Sequence, residues 1–191
     1  MNKVAPIFAS TPPPRQSTPL EKIELRTIPS VHPTRMIGDV YMNLQGQCGS
    51  QHVPDLDSFL AGTSRELQEY FAVMVPVEAT PFIDFIVLRR GNRMPGRELA
   101  PAQPGERVTE HLLPAHAPER LMELASCMAI GRSRFSVAYA ALPSALNLKI
   151  FRAVMPIWIA SMQTRGVILA FAPTFLSLGP KLDVVAPAEA V

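Results

Sequence analysis

The sequence predicts an α+β domain preceded by a helical extension. Apolar residues recur at helical spacing over 33–45 and 118–130. Short apolar runs of strand length lie at 70–78, 82–90, 134–142, 148–161 and 166–173. Proline-containing stretches with little hydrophobic periodicity bracket this patterned region at both ends.

Residues 1–30 read as a disordered tail. Thr11-Pro12-Pro13-Pro14 and Ser17-Thr18-Pro19 favour extended backbone and disfavour helix. Residues 31–62 read as the helical extension. Its first helix is expected over 33–45, with Pro33 suited to a first helical position. Ile37, Tyr41 and Leu44 share one face, Met36 and Val40 lie beside it, and Gly46 and Gly49 mark the end. A short second helix is expected over 56–60, with Asp55 as its N-cap.

The main domain is expected over 63–178, opening with a short helix at 64–69. Strands over 70–78 and 82–90 are joined by Ala79-Thr80-Pro81 as a hairpin, with Pro76 at an edge or bulge. Residues 91–117 are loop-rich, with a helical turn at 108–113. The helix at 118–130 places Leu121, Leu124, Ala125 and Met128 on one face. Pro118 starts it, Glu119 suits the positive end of its dipole, and Gly131 is placed as the C-cap. Strands over 134–142, 148–161 and 166–173 follow, the last two as a long antiparallel hairpin. Residues 179–191 read as a second tail.

Composition narrows the function classes. The 191 residues are 48% hydrophobic and 18% charged, enough apolar material for a core and too little charge for a disordered chain. The net charge of +2 is spread along the chain without a dense Lys/Arg block, so nucleic acid is not an expected partner. Cys48 and Cys127 show no metal-ligand spacing and imply no disulfide framework. No secretory signal is read at the N-terminus. Lys149, Arg152 and Arg165 interrupt the C-terminal apolar stretches before the roughly 18 residues a membrane helix needs. The expected location is cytoplasmic, with no membrane partner.

Two strands, a helix-rich middle ending in one long helix, and three closing strands make up the order of the PAS fold. Local segments resemble that family as well. Asp84-Phe85-Ile86-Val87-Leu88-Arg89-Arg90-Gly91 is similar to the second PAS strand and its terminal glycine. Gly105-Glu106-Arg107-Val108-Thr109-Glu110-His111-Leu112 resembles the segment before the long helix. Phe151 to Ile157, with Pro156, resembles the fourth strand, and Gly166 to Ala170 the last. Tyr41-Met42-Asn43-Leu44-Gln45-Gly46 and Val53-Pro54-Asp55-Leu56-Asp57 resemble the lead segment of atypical bacterial PAS proteins. Met42 there replaces a tryptophan, Gln45 an arginine, and Ser58 a proline. The resemblance covers residues 33–175. It implies a five-stranded antiparallel sheet with helices on one face, and a sensory or regulatory role in signal transduction.

Candidate sites follow. The fourth strand is apolar on both faces, with Phe151, Ala153, Met155, Ile157 and Ile159 on one and Val154, Trp158 and Ala160 on the other, Arg152 standing at the start of the second. A sheet with one wet face would carry polar residues there, so the second face needs a cover. The expected cover is the helix at 33–45, a second subunit, or both. Interface candidates are therefore Ile37, Tyr41, Leu44, Val154 and Trp158. Core packing alone also accounts for Trp158. The resemblance implies a ligand space between helices and sheet, with Phe85, Val87, Leu124, Met128, Phe135, Val137, Tyr139, Met155 and Ile157 as pocket candidates. A collapsed, ligand-free core is the simpler alternative.

No cofactor is expected. Haem would need an axial ligand such as His111 or His116, which read more simply as surface or capping residues. The reactive-cysteine motif of photoactive flavin domains is absent, and Cys127 reads as a small buried hydrophobe. No metal site is expected either. Catalytic residues are not expected, because no nucleophile elbow, phosphate loop or zinc-protease motif occurs. Asp55/Asp57 match helix capping, Glu106/Glu110 a solvated surface, and Arg89, Arg90 and Arg93 a solvated strand end. The expectation is a non-enzymatic PAS-type module, dimeric, acting on an unidentified signalling protein. Alternatives are a small-molecule-binding enzyme on an α+β sheet, or a structural dimerisation module.

Overall fold

A computed structural model describes residues 20–49, 52–78, 83–94, 103–112, 114, 116–141 and 147–175. Helices lie on both faces of one open sheet of six antiparallel strands.

The first helix, α1 (Pro33–Cys48), begins where a cap and a proline coincide: a ring nitrogen of His32 accepts from the Thr34 N–H, and Pro33 occupies the first turn. It runs past Gly46 and stops at Gly49, whose φ of 80° ends helical geometry. The second, α2 (Leu56–Gly62), is capped by the Asp55 carboxylate, which accepts from the Asp57 and Ser58 N–H groups. One turn, α3 (Arg65–Gln68), is capped by Ser64. The fourth, α4 (Ala117–Ile130), closes on Gly131 in left-handed geometry, with the Gly131 N–H donating to the Cys127 carbonyl.

The strands are β1 (Glu21–Ile23), β2 (Phe71–Val77), β3 (Asp84–Arg90), β4 (Arg134–Ala141), β5 (Asn147–Ile159) and β6 (Thr164–Phe175). Their order across the sheet is β1-β4-β5-β6-β2-β3. Register sets the two faces. Ile23, Phe135, Ala153, Ala170 and Phe71 form one row across five strands, and α1, α2 and α3 cover that face. The next row, with Val154, Leu169 and Ala72, faces the other way, under α4.

Several expectations are corrected. The tail does not extend to residue 30: Glu21–Ile23 pairs with β4, and a single 3-10 turn, Leu25–Thr27, links it toward α1. The sheet therefore has six strands rather than five. Helices are not confined to one face, and the expected cover is exchanged: α1 lies on the Phe151, Ala153, Met155 and Ile157 face of β5, whereas Val154, on the face expected to lie under α1, is covered by α4. The last hairpin turns two residues earlier than 148–161 and 166–173 imply. Ala160–Met162 is a 3-10 turn, and the β5/β6 register continues to Ile159↔Thr164. The tail at 179–191, the loop at 79–81 and residues 1–19 lie outside the described residues.

Candidate functional site

The layer between α4 and the sheet combines an apolar floor with buried charge. Leu121, Leu124 and Cys127 point inward from α4 and meet Val154, Val167, Leu169 and Phe171 from β5 and β6. Met74 of β2 and Phe85 and Val87 of β3 extend that floor, and Val108 and Leu112 close it from the segment before α4. Into this layer β5 sends Arg152, whose guanidinium donates to the Glu123 carboxylate of α4 at 2.9 Å. The two side chains are only 10% and 13% exposed. Ser136 of β4, opposite Arg152 in register, is buried beside it. A charge pair so enclosed is held by geometry, because each member alone would be a costly buried ion.

Cys127 lies in the same layer. Its single S–H has the Arg132 and Val154 carbonyls within reach as acceptors, at 3.1 and 3.3 Å from the sulfur. Burial pushes its pKa up to about 12, Arg134 offsetting only part of that, so it is a protonated packing group. At the far end of the layer Asp84 is 2% exposed. Its carboxylate accepts from the Thr109 hydroxyl at 2.5 Å and from the Thr109 and Phe85 N–H groups, while Arg107 stands 3.7 Å away. These contacts fasten the 3-10 turn Val108–His111 to the start of β3.

The opposite layer carries no such ion pair among the described residues. Tyr41, Phe59 and Phe71 pack edge to face, with ring centroids 6.4 and 5.4 Å apart. The Tyr41 hydroxyl donates to the Pro156 carbonyl at 2.8 Å, and the Thr34 hydroxyl to the Phe151 carbonyl at 3.1 Å. Burial raises the Tyr41 pKa above the ordinary phenol value.

The structure divides the pocket candidates between the two layers. Phe85, Val87 and Leu124 line the α4 layer, and Met128 packs against it half-buried. Phe135, Val137, Met155 and Ile157 lie on the α1 face. Tyr139 continues the row of Phe135 and Val137 on β4 and is 40% exposed. The nine residues therefore do not enclose one cavity. Alternation within each strand follows the sequence, but the phase between strands does not, and a one-residue offset moves a whole strand to the other face.

The interface candidates divide as well. Ile37 and Tyr41 are fully buried inside the chain, and Leu44 packs beside them. Val154 lies under α4. Trp158 is half-buried where its N–H donates to the Pro54 carbonyl, beyond the end of β4. Ile37 and Tyr41 present no surface to a second subunit, because α1 applies them to its own sheet.

Other sequence groups have local partners. Asp55 is the expected cap. The Glu106 carboxylate lies 2.9 Å from His111 Nε2 and accepts from the Gln103 N–H. Arg89 donates to Gln68, Arg93 to Glu66 and Tyr70, and Arg90 to the Met94 carbonyl. His111 ends the 3-10 turn, and His116 is buried at the N-terminus of α4. Among the described residues no group of His, Cys, Asp and Glu is arranged to hold a metal ion. No helix among them is long and apolar enough to cross a membrane. The Glu123–Arg152 pair went unread in the sequence. Its signal was Arg152 alone among the apolar residues 150–159. Comparison with protein-family models, curated proteins and solved structures returns no match.

Proposed function

We propose that this chain is a cytoplasmic, non-enzymatic regulatory module of PAS type that acts through contact with another protein. The observation that carries the reading is the chain order of the sheet. A hairpin, β2–β3, is followed by a helical segment ending in α4, then by β4, β5 and β6, all in one antiparallel sheet. β1 and the helices α1 to α3 are additions to that plan on the edge and the opposite face.

The α4 layer is the signalling element in this reading. Its inner side carries the enclosed Glu123–Arg152 pair, so a shift of α4 must be registered by β5. Its outer side exposes Met122 at 65% and Ile130 at 59%, with Ala129 exposed between them. Apolar side chains on an exposed helix face suit a protein partner, and a small apolar ligand would enter between α4 and the sheet. Native mass spectrometry of the full chain tests the proposal. A dimer or a retained small molecule is expected. A ligand-free monomer overturns it.

A further inference from the structure

His32 is an unusual helix cap. Serine, threonine, aspartate or asparagine ordinarily supplies the acceptor at this position, and none of them titrates near neutrality by gaining a positive charge. Here the acceptor is Nδ1 of an imidazole, 3.3 Å from the Thr34 nitrogen. The residue is only 8% exposed and packs edge to face on Phe151 of β5, with centroids 5.0 Å apart. Thr34, the second residue of the helix, is fully buried and its hydroxyl donates to the Phe151 carbonyl. One short segment therefore both starts α1 and fastens its N-terminus to the sheet.

Arg35, Lys149 and the helix dipole disfavour an imidazolium at this place. On α1, the neighbouring Arg35 is cationic and its guanidinium is committed to Asp39 and the Leu25 carbonyl. The N-terminal end of α1 is itself the positive end of a dipole. From β5, the Lys149 ammonium sits 4.9 Å from the centroid of the same Phe151 ring. From β4, Tyr139 stands opposite Lys149 in register, and from β6 Thr174 does so on the other side. Among the described residues no carboxylate forms an ion pair with His32. The Pro173 carbonyl of β6 favours the charged form, but burial outweighs it and holds the imidazole below its usual pKa.

We propose that His32 is a proton-operated latch: protonation removes the acceptor that caps α1 and releases the first turn of the helix from β5. An imidazolium has no lone pair left to accept the Thr34 N–H. The proton is therefore taken up preferentially by the open form, and acid shifts the population toward it. The released turn uncovers the α1 face of the sheet at Phe151. This latch does not depend on the PAS-type reading, since it concerns a different face from α4.

Amide hydrogen exchange of the full chain, read at Thr34, Met36 and Ile37 and corrected for intrinsic rates, tests it. An open-form pKa near 6.5 gives a rise in opening of about eightfold between pH 7.0 and pH 5.5. The variant His32→Asn keeps a neutral cap acceptor and should lose that rise. A wild-type response below twofold, or the same response in His32→Asn, overturns the proposal. Should the variant fold poorly, the His32 ring titrated by NMR in the wild type decides the matter. A midpoint below 6.5 that tracks the exchange supports the latch, and one at or above 6.5 overturns it.

Discussion

The Tyr41 hydroxyl donates to the carbonyl of Pro156, 115 residues away, at 2.8 Å. A proline inside a long strand lacks a ladder donor and is expected at an edge or bulge. Pro156 lies inside β5, paired with Val167 of β6. It is tolerated because β4 begins at Arg134, opposite Val154, so among the described residues no strand lies on that flank of β5 from there on. Tyr41 supplies the donor for the Pro156 carbonyl, and two residues later the Trp158 N–H finds the Pro54 carbonyl. The helix and its following loop thus complete the ladder that β4 leaves unfinished.

Tyr41→Phe tests that role. The ring keeps its contact with Phe59, and only the hydroxyl is lost. The expected cost is about 1–3 kcal/mol, the usual penalty for an orphaned buried acceptor. Urea unfolding should show a lower midpoint with an unchanged slope. An unchanged midpoint would mean that the carbonyl finds another donor.

The Glu123–Arg152 pair predicts strong coupling. Glu123→Leu or Arg152→Met alone leaves a buried partner without its counter-charge, at a cost of about 3–5 kcal/mol. Glu123→Leu combined with Arg152→Met removes both charges and should recover most of that loss. A double-mutant cycle by chemical denaturation measures it. Additive losses would show that the two side chains do not act as a unit.

Cysteine reactivity should be sharply divided. Cys48 is exposed at the end of α1, whereas Cys127 is buried with its thiol pushed up to about 12. Thiolate is the reactive form, so iodoacetamide at pH 8 should modify Cys48 alone in the folded chain. Cys127 should react only after denaturant is added. Intact-mass spectrometry counts the adducts, and two on the native protein would contradict the burial of α4.

The same residues explain what was legible in the sequence. Helical spacing identified α1 and α4 because Ile37 and Tyr41, or Leu121 and Leu124, repeat one face over several turns. Alternation identified β5 and, from its two apolar faces, the need for a cover. The phase between strands was not legible. β3 pairs Arg89 with Val73 but Val87 with Met74, a register shift that passes over Leu88 and that no local pattern announces. Phe85 and Val87 consequently face α4 while Phe135 and Val137 face α1. β1 escaped notice for a simpler reason. Glu21 and Lys22 are exposed, and Ile23 alone touches the core.

Two glycines that look alike in sequence should respond oppositely to alanine. Gly91 ends β3 against the start of β2, where a Cβ would lie 2.3 Å from the Glu69 carbonyl. The segment cannot retreat. Gly91 N–H donates to the Phe71 carbonyl, Arg93 N–H to the Glu69 carbonyl, and Asn92 N–H to the Glu69 carboxylate. Gly91→Ala should therefore cost about 3 kcal/mol, at the upper end of overpacking losses. Gly46 was read as a helix terminator but lies inside α1, exposed, with nothing within 4 Å of its would-be Cβ. There alanine removes only the entropic weakness of a helical glycine, so Gly46→Ala should stabilise by about 0.5–1 kcal/mol. Thermal unfolding of both variants beside the wild type reads the two signs at once. A stabilised Gly91→Ala would mean that β3 does not end against Glu69, and a destabilised Gly46→Ala would mean that α1 ends before residue 46.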